Sequence, residues 1–93
     1  MDVLKVSAST DPSKLSGAIS AVVRGSGEVA VTAMGAQAVF NAVRGIAIAR
    51  GRALVEGSDF DVKFMFRPLR LDGGDRERSA IKFVVKKVDA AAE

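Results

Sequence analysis

The chain contains no cysteine, histidine, tryptophan or tyrosine. Without cysteine it can form neither a disulfide nor a thiolate metal site, as is usual in a reducing cytosol. Without histidine, cysteine and tyrosine it also lacks the common general base, the thiolate nucleophile and the phenolic acid of enzymes, and its serines have no histidine to activate them. We therefore expect a protein that is not an enzyme.

The sequence also lacks long apolar runs and the glycine-rich motifs of nucleotide-binding loops. The start, MDVLKVSAST, has an acid at position two and no apolar stretch, which indicates neither a signal peptide nor a membrane span, so we expect a cytoplasmic protein. The motifs GxGxxG and GxxxxGK[ST] do not occur, so we expect neither a nucleotide cofactor nor a small-molecule substrate. Glu56, Asp59 and Asp61 are close in sequence, but solvated acids are a better interpretation than a metal site, and we expect no metal.

The 93 residues allow one small domain, which we place at residues 1–88 with a frayed tail at 89–93. With 48% hydrophobic and 27% charged residues, the composition is that of a globular protein. The net charge of +3 is uneven, since residues 1–52 carry six bases and three acids, whereas the remainder carries eight of each. This asymmetry indicates either a footprint for a polyanion or ordinary solvated charge.

The apolar periodicity predicts two helices. The first has Asp11 as N-cap and Pro12 at its first position, and Gly25 is expected to end it. The second follows Gly35, and Gly51 is expected to end it.

Strands are predicted before, between and after these helices. The segments are VLKVSA, EVAVTAM, DFDVKFMFRPLRLD and RERSAIKFVVKKV, with DGGD as the hairpin turn between the last two. Pro68 interrupts the alternation of the third strand, so we expect a bulge or a sheet edge there. The fold class is therefore α+β: a two-layer β-α-β-α-β-β sandwich in which one mixed four-stranded sheet carries both helices on one face.

The second helix has two apolar rows. The larger residues form an arc that predicts the core side: Ala36, Val39, Phe40, Val43, Ile46 and Ala47. Beside it lie only small residues, which allow close approach either by the first helix or by a twin subunit. With Ile48 as an exposed neighbour, this row gives the candidate dimer interface: Ala38, Ala42, Gly45, Ile48 and Ala49.

The start of the second helix is a candidate phosphate site. Gly35 lies at a strand-to-helix junction, where free N–H groups and the helix dipole attract anions, although a glycine there also serves backbone conformation. If both crossovers are right-handed, the first helix begins at the same end of the sheet, with Lys14 near Gly35.

Three segments of the sequence carry a family resemblance. LKVSAST, VTAMGAQAVFNAVRGIAIARG and ERSAIKFVVKK together resemble the bacterial stage V sporulation protein S family over nearly the whole chain. More distantly, the glycine that opens the second helix and RSAIKFVV in the last strand are similar to the archaeal chromatin protein Alba. The resemblance implies the β-α-β-α-β-β fold, a homodimer or higher oligomer, binding to a DNA or RNA backbone, and a regulatory role in sporulation or related development.

The Alba-like pattern is followed only in part. Such proteins hold the backbone with lysines before the first helix and with a basic hairpin arm, but here only Lys14 stands before that helix, and the hairpin arginines are balanced by Asp72, Asp75 and Glu77. The five phenylalanines are expected to be buried, which disfavours base stacking. An RNA-binding module of the same topology and a protein-binding scaffold without nucleic-acid contact remain open. The candidate nucleic-acid-binding residues are Lys14, Gly35, Gln37, Asn41, Arg44, Arg70, Arg76 and Arg78.

Overall fold

The computed structural model describes the backbone of residues 2–70 and 77–90, and the side chains of residues 2–68 and 80–90. The described residues form the predicted order of strands and helices. The elements are β1 (Val3–Val6), α1 (Pro12–Ser26), β2 (Glu28–Met34), α2 (Ala36–Val55), β3 (Ser58–Arg70) and β4 (Glu77–Asp89). The predicted α+β class is confirmed. The predicted turn DGGD and the last three residues of the predicted tail lie outside the described residues.

The strands form one mixed sheet in the order β1-β2-β4-β3. β1 runs parallel to β2, and β4 runs antiparallel to both β2 and β3. The predicted edge at Pro68 is confirmed because β3 is the outermost strand, where a missing N–H donor needs no partner. The alternative of a bulge is wrong, since the pairing continues without a break through Pro68 and Ser79 to Arg70 and Glu77.

The N-terminus of α1 follows the sequence prediction. Asp11 is the N-cap, and its carboxylate accepts a hydrogen bond of 2.9 Å from the backbone N–H of Ser13. Pro12 occupies the first turn, where a missing N–H has no intrahelical partner to lose.

Both helices are longer than predicted. α1 continues past Gly25 and ends at Gly27, which adopts the left-handed φ of 85° and donates its N–H to the carbonyl of Val23. α2 likewise continues past Gly51 to Val55, and the chain turns at Gly57 with a φ of 84°. Gly25 and Gly51 remain inside helices because they do not take the left-handed conformation that ends one.

The core lies between the two helices and one face of the sheet. Its largest fully buried apolar side chains are Ile19, Val29, Val31 and Val85. Phe83 is buried and Ile81 packs against the core, so both lie on the face of β4 that the helices cover. Within the described residues, no helix is long and apolar enough to cross a bilayer.

The predicted core face of α2 is confirmed for Ile46, which is buried, and for Val39, which packs against the core. It is wrong for Phe40 and Val43, which are 55% and 48% exposed. The side of α2 that faces the core is the small one: Ala38, Asn41, Ala42, Gly45, Ile46 and Ala49 are buried. The cause is the close approach of α1, because a Cβ on Gly45 would lie 2.7 Å from Cδ2 of Leu15. Large side chains on this side of α2 would hold the two helices apart.

The same contact corrects the predicted dimer interface. Ala38, Ala42, Gly45 and Ala49 of the small row are covered within their own chain and are therefore not available to a twin subunit. Ile48 is half-buried beside them. The small row therefore packs within the chain, and any contact with a second copy would have to involve other residues.

We expect Gly45→Ala to destabilise the protein. The added methyl would press on Leu15, and such overpacking costs about 1–3 kcal/mol, which exceeds the roughly 0.5–1 kcal/mol that alanine contributes over glycine in a helix. The matched control is Gly17→Ala in α1, where a Cβ meets nothing within 4 Å and stability should rise. Urea unfolding at one protein concentration measures both, and equal stabilisation by the two variants would contradict the close contact.

Candidate nucleic-acid interface

Both helices begin at the same end of the sheet. β1 and β2 are parallel, so their carboxyl ends share one edge, and α1 and α2 follow those ends. The β3–β4 ladder passes this edge, since it continues beyond the pair of Met34 with Ala80 to the pair of Arg70 with Glu77. The start of α1, the start of α2 and the root of the hairpin therefore meet, and we call this region the helix-start end. Lys14 and Gly35 both lie there, as predicted.

Asn41 has a structural task at the helix-start end. It is only 5% exposed, and its amide nitrogen donates to the carbonyls of Ser7 and Ala8 at 3.2 and 3.1 Å. Its amide oxygen accepts a hydrogen bond of 3.0 Å from Nε2 of Gln37. Because these contacts occupy both ends of the buried amide, the Asn41 side chain is engaged within the chain and is not presented to a ligand as the sequence prediction assumed. It fixes the β1–α1 loop to α2.

The β1–α1 loop is also held by its own hydroxyl groups. The N–H of Ser7 donates to Oγ1 of Thr10 at 2.9 Å, and the N–H of Thr10 donates to the carbonyl of Ser7 at 3.2 Å. Together with Asn41 and the Asp11 cap, these bonds fix the segment that leads into α1. Lys14 therefore projects, exposed, from a fixed position in the first turn of α1.

The start of α2 is open to an anion. Gly35 is exposed, has a φ of 92°, which favours glycine, and provides no side-chain cap for the helix. The first turn of α2 carries no acidic residue, so its N–H groups and the positive end of the helix dipole are uncompensated. The start of α1 differs, because the Asp11 carboxylate already occupies the corresponding position. Of the two helix starts, α2 is therefore the better phosphate site.

Arg44 and Gln37 are exposed on the same helix. They lie seven residues apart, two turns along one side of α2 with Asn41 between them. The Arg44 guanidinium is 5.8 Å from the centre of the Phe40 ring, a cation–π contact that leaves its N–H groups available. The side chains of the other predicted arginines, Arg70, Arg76 and Arg78, lie outside the described residues.

An exposed apolar surface was missed by the sequence interpretation. It joins Phe40, Val43 and Ala47 of α2 to Phe64 and Phe66 of β3, and we call it the apolar stripe. Phe64 and Phe66 are 73% and 74% exposed, so the expectation that every phenylalanine is buried is wrong for three of the five. A groove of about 310 Å³ runs between the helix and the strand. The sequence feature that could have indicated this surface is the wide apolar arc of α2, which was predicted to face the core.

An ion pair ties α2 to β3 beside this groove. Nε and Nη2 of Arg50 donate to the two carboxylate oxygens of Asp59 at 2.6 and 3.2 Å. The hydrogen bonds from Arg50 and from the N–H of Phe60 lower the pKa of the Asp59 carboxyl, and the Asp59 carboxylate raises the pKa of Arg50. Asp59 is thus committed to an arginine, and the described residues contain no cluster of three acidic side chains that could hold a metal ion.

The architecture is similar in fold to a solved structure, Alba from Thermoplasma volcanium, which superposes with a TM-score of 0.64 at 14% sequence identity. The match covers 91% of this chain and 99% of the Alba chain. The protein therefore has an Alba-like fold, as the sequence resemblance implied.

The family assignment comes from the sequence itself. Residues 2–88 match the family described as Stage V sporulation protein S (SpoVS). The match runs from before β1 to the penultimate residue of β4, and the chain belongs to this family. The resemblance noted in the three sequence segments is confirmed.

Proposed function

We propose that this chain is a cytoplasmic protein that binds the phosphate backbone of nucleic acid without reading base sequence, and that it acts as a regulator in bacterial sporulation or related development. Membership of the stage V sporulation protein S family supports the biological role, and the Alba-like fold is compatible with the biochemical one. The observation that carries the proposal is the helix-start end, where the uncapped start of α2 lies with Lys14 and the root of the hairpin.

The chemistry of this end suits a phosphate backbone. The N–H groups in the first turn of α2 can donate to phosphate oxygens, and Lys14 and Arg44 add exposed positive charge. Among the described side chains, neither Lys14 nor Arg44 belongs to an ion pair. Contacts from backbone N–H groups and cationic side chains to phosphate carry no direct sequence information, so we expect affinity to follow charge rather than base sequence. We propose a binding role without catalysis, which the absence of histidine, cysteine and tyrosine supports.

We further propose that the protein is a homodimer that covers the apolar stripe. The stripe joins a helix to the neighbouring edge strand, and a two-fold axis would place it against its own copy. Exposed phenylalanines and valine of this kind mark interaction surfaces rather than solvated ones. A dimer would also present two helix-start ends to one ligand.

Salt dependence tests the binding proposal. If the helix-start end of each subunit neutralises about two phosphates, its contribution in a dimer is a slope of roughly −3 to −4 in log affinity against log salt. Arg44→Gln should remove one contact per subunit and flatten the slope by about 1.8, equally for all sequences. The matched control is Arg52→Gln, in the last turn of the same helix at the opposite end, which should change little.

The same salt titration also identifies which class of nucleic acid the protein prefers. Duplex DNA, single strands and structured RNA of equal length are compared at matched salt, and the tightest binder identifies the preferred backbone. A wild-type protein that binds none of them at low salt would contradict the proposal and favour a protein-binding scaffold.

The dimer is tested by charge inserted in the apolar stripe. Val43→Glu should give a folded monomer, because Val43 is half-exposed in the single chain but would face the twin subunit. Val55→Glu is the matched control, since Val55 is 89% exposed at the end of the same helix and away from the groove. Light scattering measures the mass, and circular dichroism checks the fold. A wild-type chain that stays monomeric at high micromolar concentration would refute the dimer.

A further inference from the structure

Both described helices pack on one face of the sheet, and neither covers the opposite face, which we call the open face. Alternation along β4 separates the two faces, because Phe83 and Val85 are buried under the helices and Lys82 and Lys86 therefore point the other way. The register extends this assignment across the sheet, since directly paired residues share a face. By this register the described residues of the open face are Val3, Lys5, Glu28, Ala30, Thr32, Met34, Asp59, Asp61, Lys63, Met65, Arg67, Ala80, Lys82, Val84, Lys86 and Val88.

Charges on the open face are segregated by sign. Three carboxylates belong to this face by register. Glu28 and Asp61 are both paired with Lys86, so the positive charge in that row is balanced, and Asp59 lies in the next row away from the hairpin, where Arg50 binds it. The other cations lie in the rows nearer the hairpin, which contain no carboxylate among their paired residues. We call these four residues the cationic sheet patch: Lys5, Lys63, Arg67 and Lys82.

The cationic sheet patch has no internal compensation. Among the described side chains, the ion pairs are Arg24 with Glu56 and Arg50 with Asp59, and neither includes a residue of the patch. Lys63 and Lys82 are on adjacent strands and diagonal to each other, a separation of about 7–8 Å. Like charges at this spacing repel, whereas a face selected only for solubility mixes both signs. A covering polyanion would relieve the repulsion.

The residues around the cationic sheet patch are better suited to contact a phosphodiester backbone than to contact unstacked bases. A shallow cleft of about 190 Å³ lies beside it, lined by Lys5 and Thr32 together with Met34 and Ala80. The open face contains no aromatic side chain on which a base could stack. Lysine ammonium groups and a threonine hydroxyl are suited to phosphate oxygens.

We propose that the cationic sheet patch is a second contact surface for the phosphodiester backbone of nucleic acid, on the side of the sheet opposite α2. The inference rests on the proposed function only for the class of ligand. The patch reaches the helix-start end where β2 leads into Gly35, so one long ligand can follow both surfaces around the root of the hairpin. Its contacts would add to the salt slope assigned to the helix-start end.

The test compares the two faces of the sheet in the whole 93-residue chain. The double variant Lys63→Gln/Lys82→Gln should bind duplex DNA and structured RNA more weakly, with a salt slope shallower by about 1.8 per subunit because two phosphate contacts are lost. Lys87→Gln is the matched control, since Lys87 is exposed on β4 but lies on the helix side of the sheet, beside Phe60. Thermal unfolding verifies that both proteins remain folded.

The outcomes separate this inference from the proposed function. If the double variant keeps the wild-type salt slope while Arg44→Gln flattens it, the proposed contact at the cationic sheet patch is refuted and the proposed contact at the helix-start end is supported. If the double variant alone flattens the slope, the patch is supported and the helix-start contact fails. If the wild-type protein binds no nucleic acid at low salt, both are overturned and an acidic protein surface becomes the occupant to test.

Discussion

The contact between Leu15 and the bare backbone of Gly45 fixes how α2 is rotated. A side chain at Gly45 would collide with Leu15, so α1 approaches the small side of α2 and buries it. The larger apolar residues of α2 then turn outward, with Phe40 and Val43 about half exposed. The same rotation directs Asn41 inward, where it holds the carbonyls of Ser7 and Ala8. One close helix contact thus sets both the exposed apolar stripe and the fixed loop at the helix-start end.

The rotation of α2 leaves surfaces of different chemical character on the protein. The apolar stripe is suited to a second copy, and the helix-start end is suited to phosphate because its α2 terminus has no acidic cap. The open sheet face adds a cationic surface near the hairpin, and the carboxylates of that face lie in the rows away from the hairpin. A nucleic acid bound through cationic side chains and a helix terminus would be contacted at its phosphates, which gives little sequence selectivity.

The sequence predicted the order of elements because the local signals agreed. Asp11 and Pro12 mark the start of α1 by capping chemistry, and strict alternation in β3 identifies its two faces. The ends of the helices were not predictable in the same way, since several glycines follow one another and only the tertiary structure selects Gly27 and Gly57 for the left-handed conformation.

The face of α2 was mispredicted for a different physical reason. Its two apolar rows are both compatible with burial, and hydrophobicity alone favours the row with Phe40 and Val43. Which row faces inward depends on how closely α1 approaches, a distance that no single-helix pattern contains. The same limit applies to Asn41, whose polar side chain indicates a surface contact until its loop partners are known.

Backbone amide shifts on addition of a duplex at low salt test the central claim most directly, namely that the helix-start end is the ligand surface. The account predicts the largest shifts at Gly35, Ala36 and Gln37 and at Lys14, with little change at Gly27 and Gly57 at the opposite end of the helices. Shifts confined to the Gly27 and Gly57 end, or no shifts at a saturating duplex concentration, would contradict it.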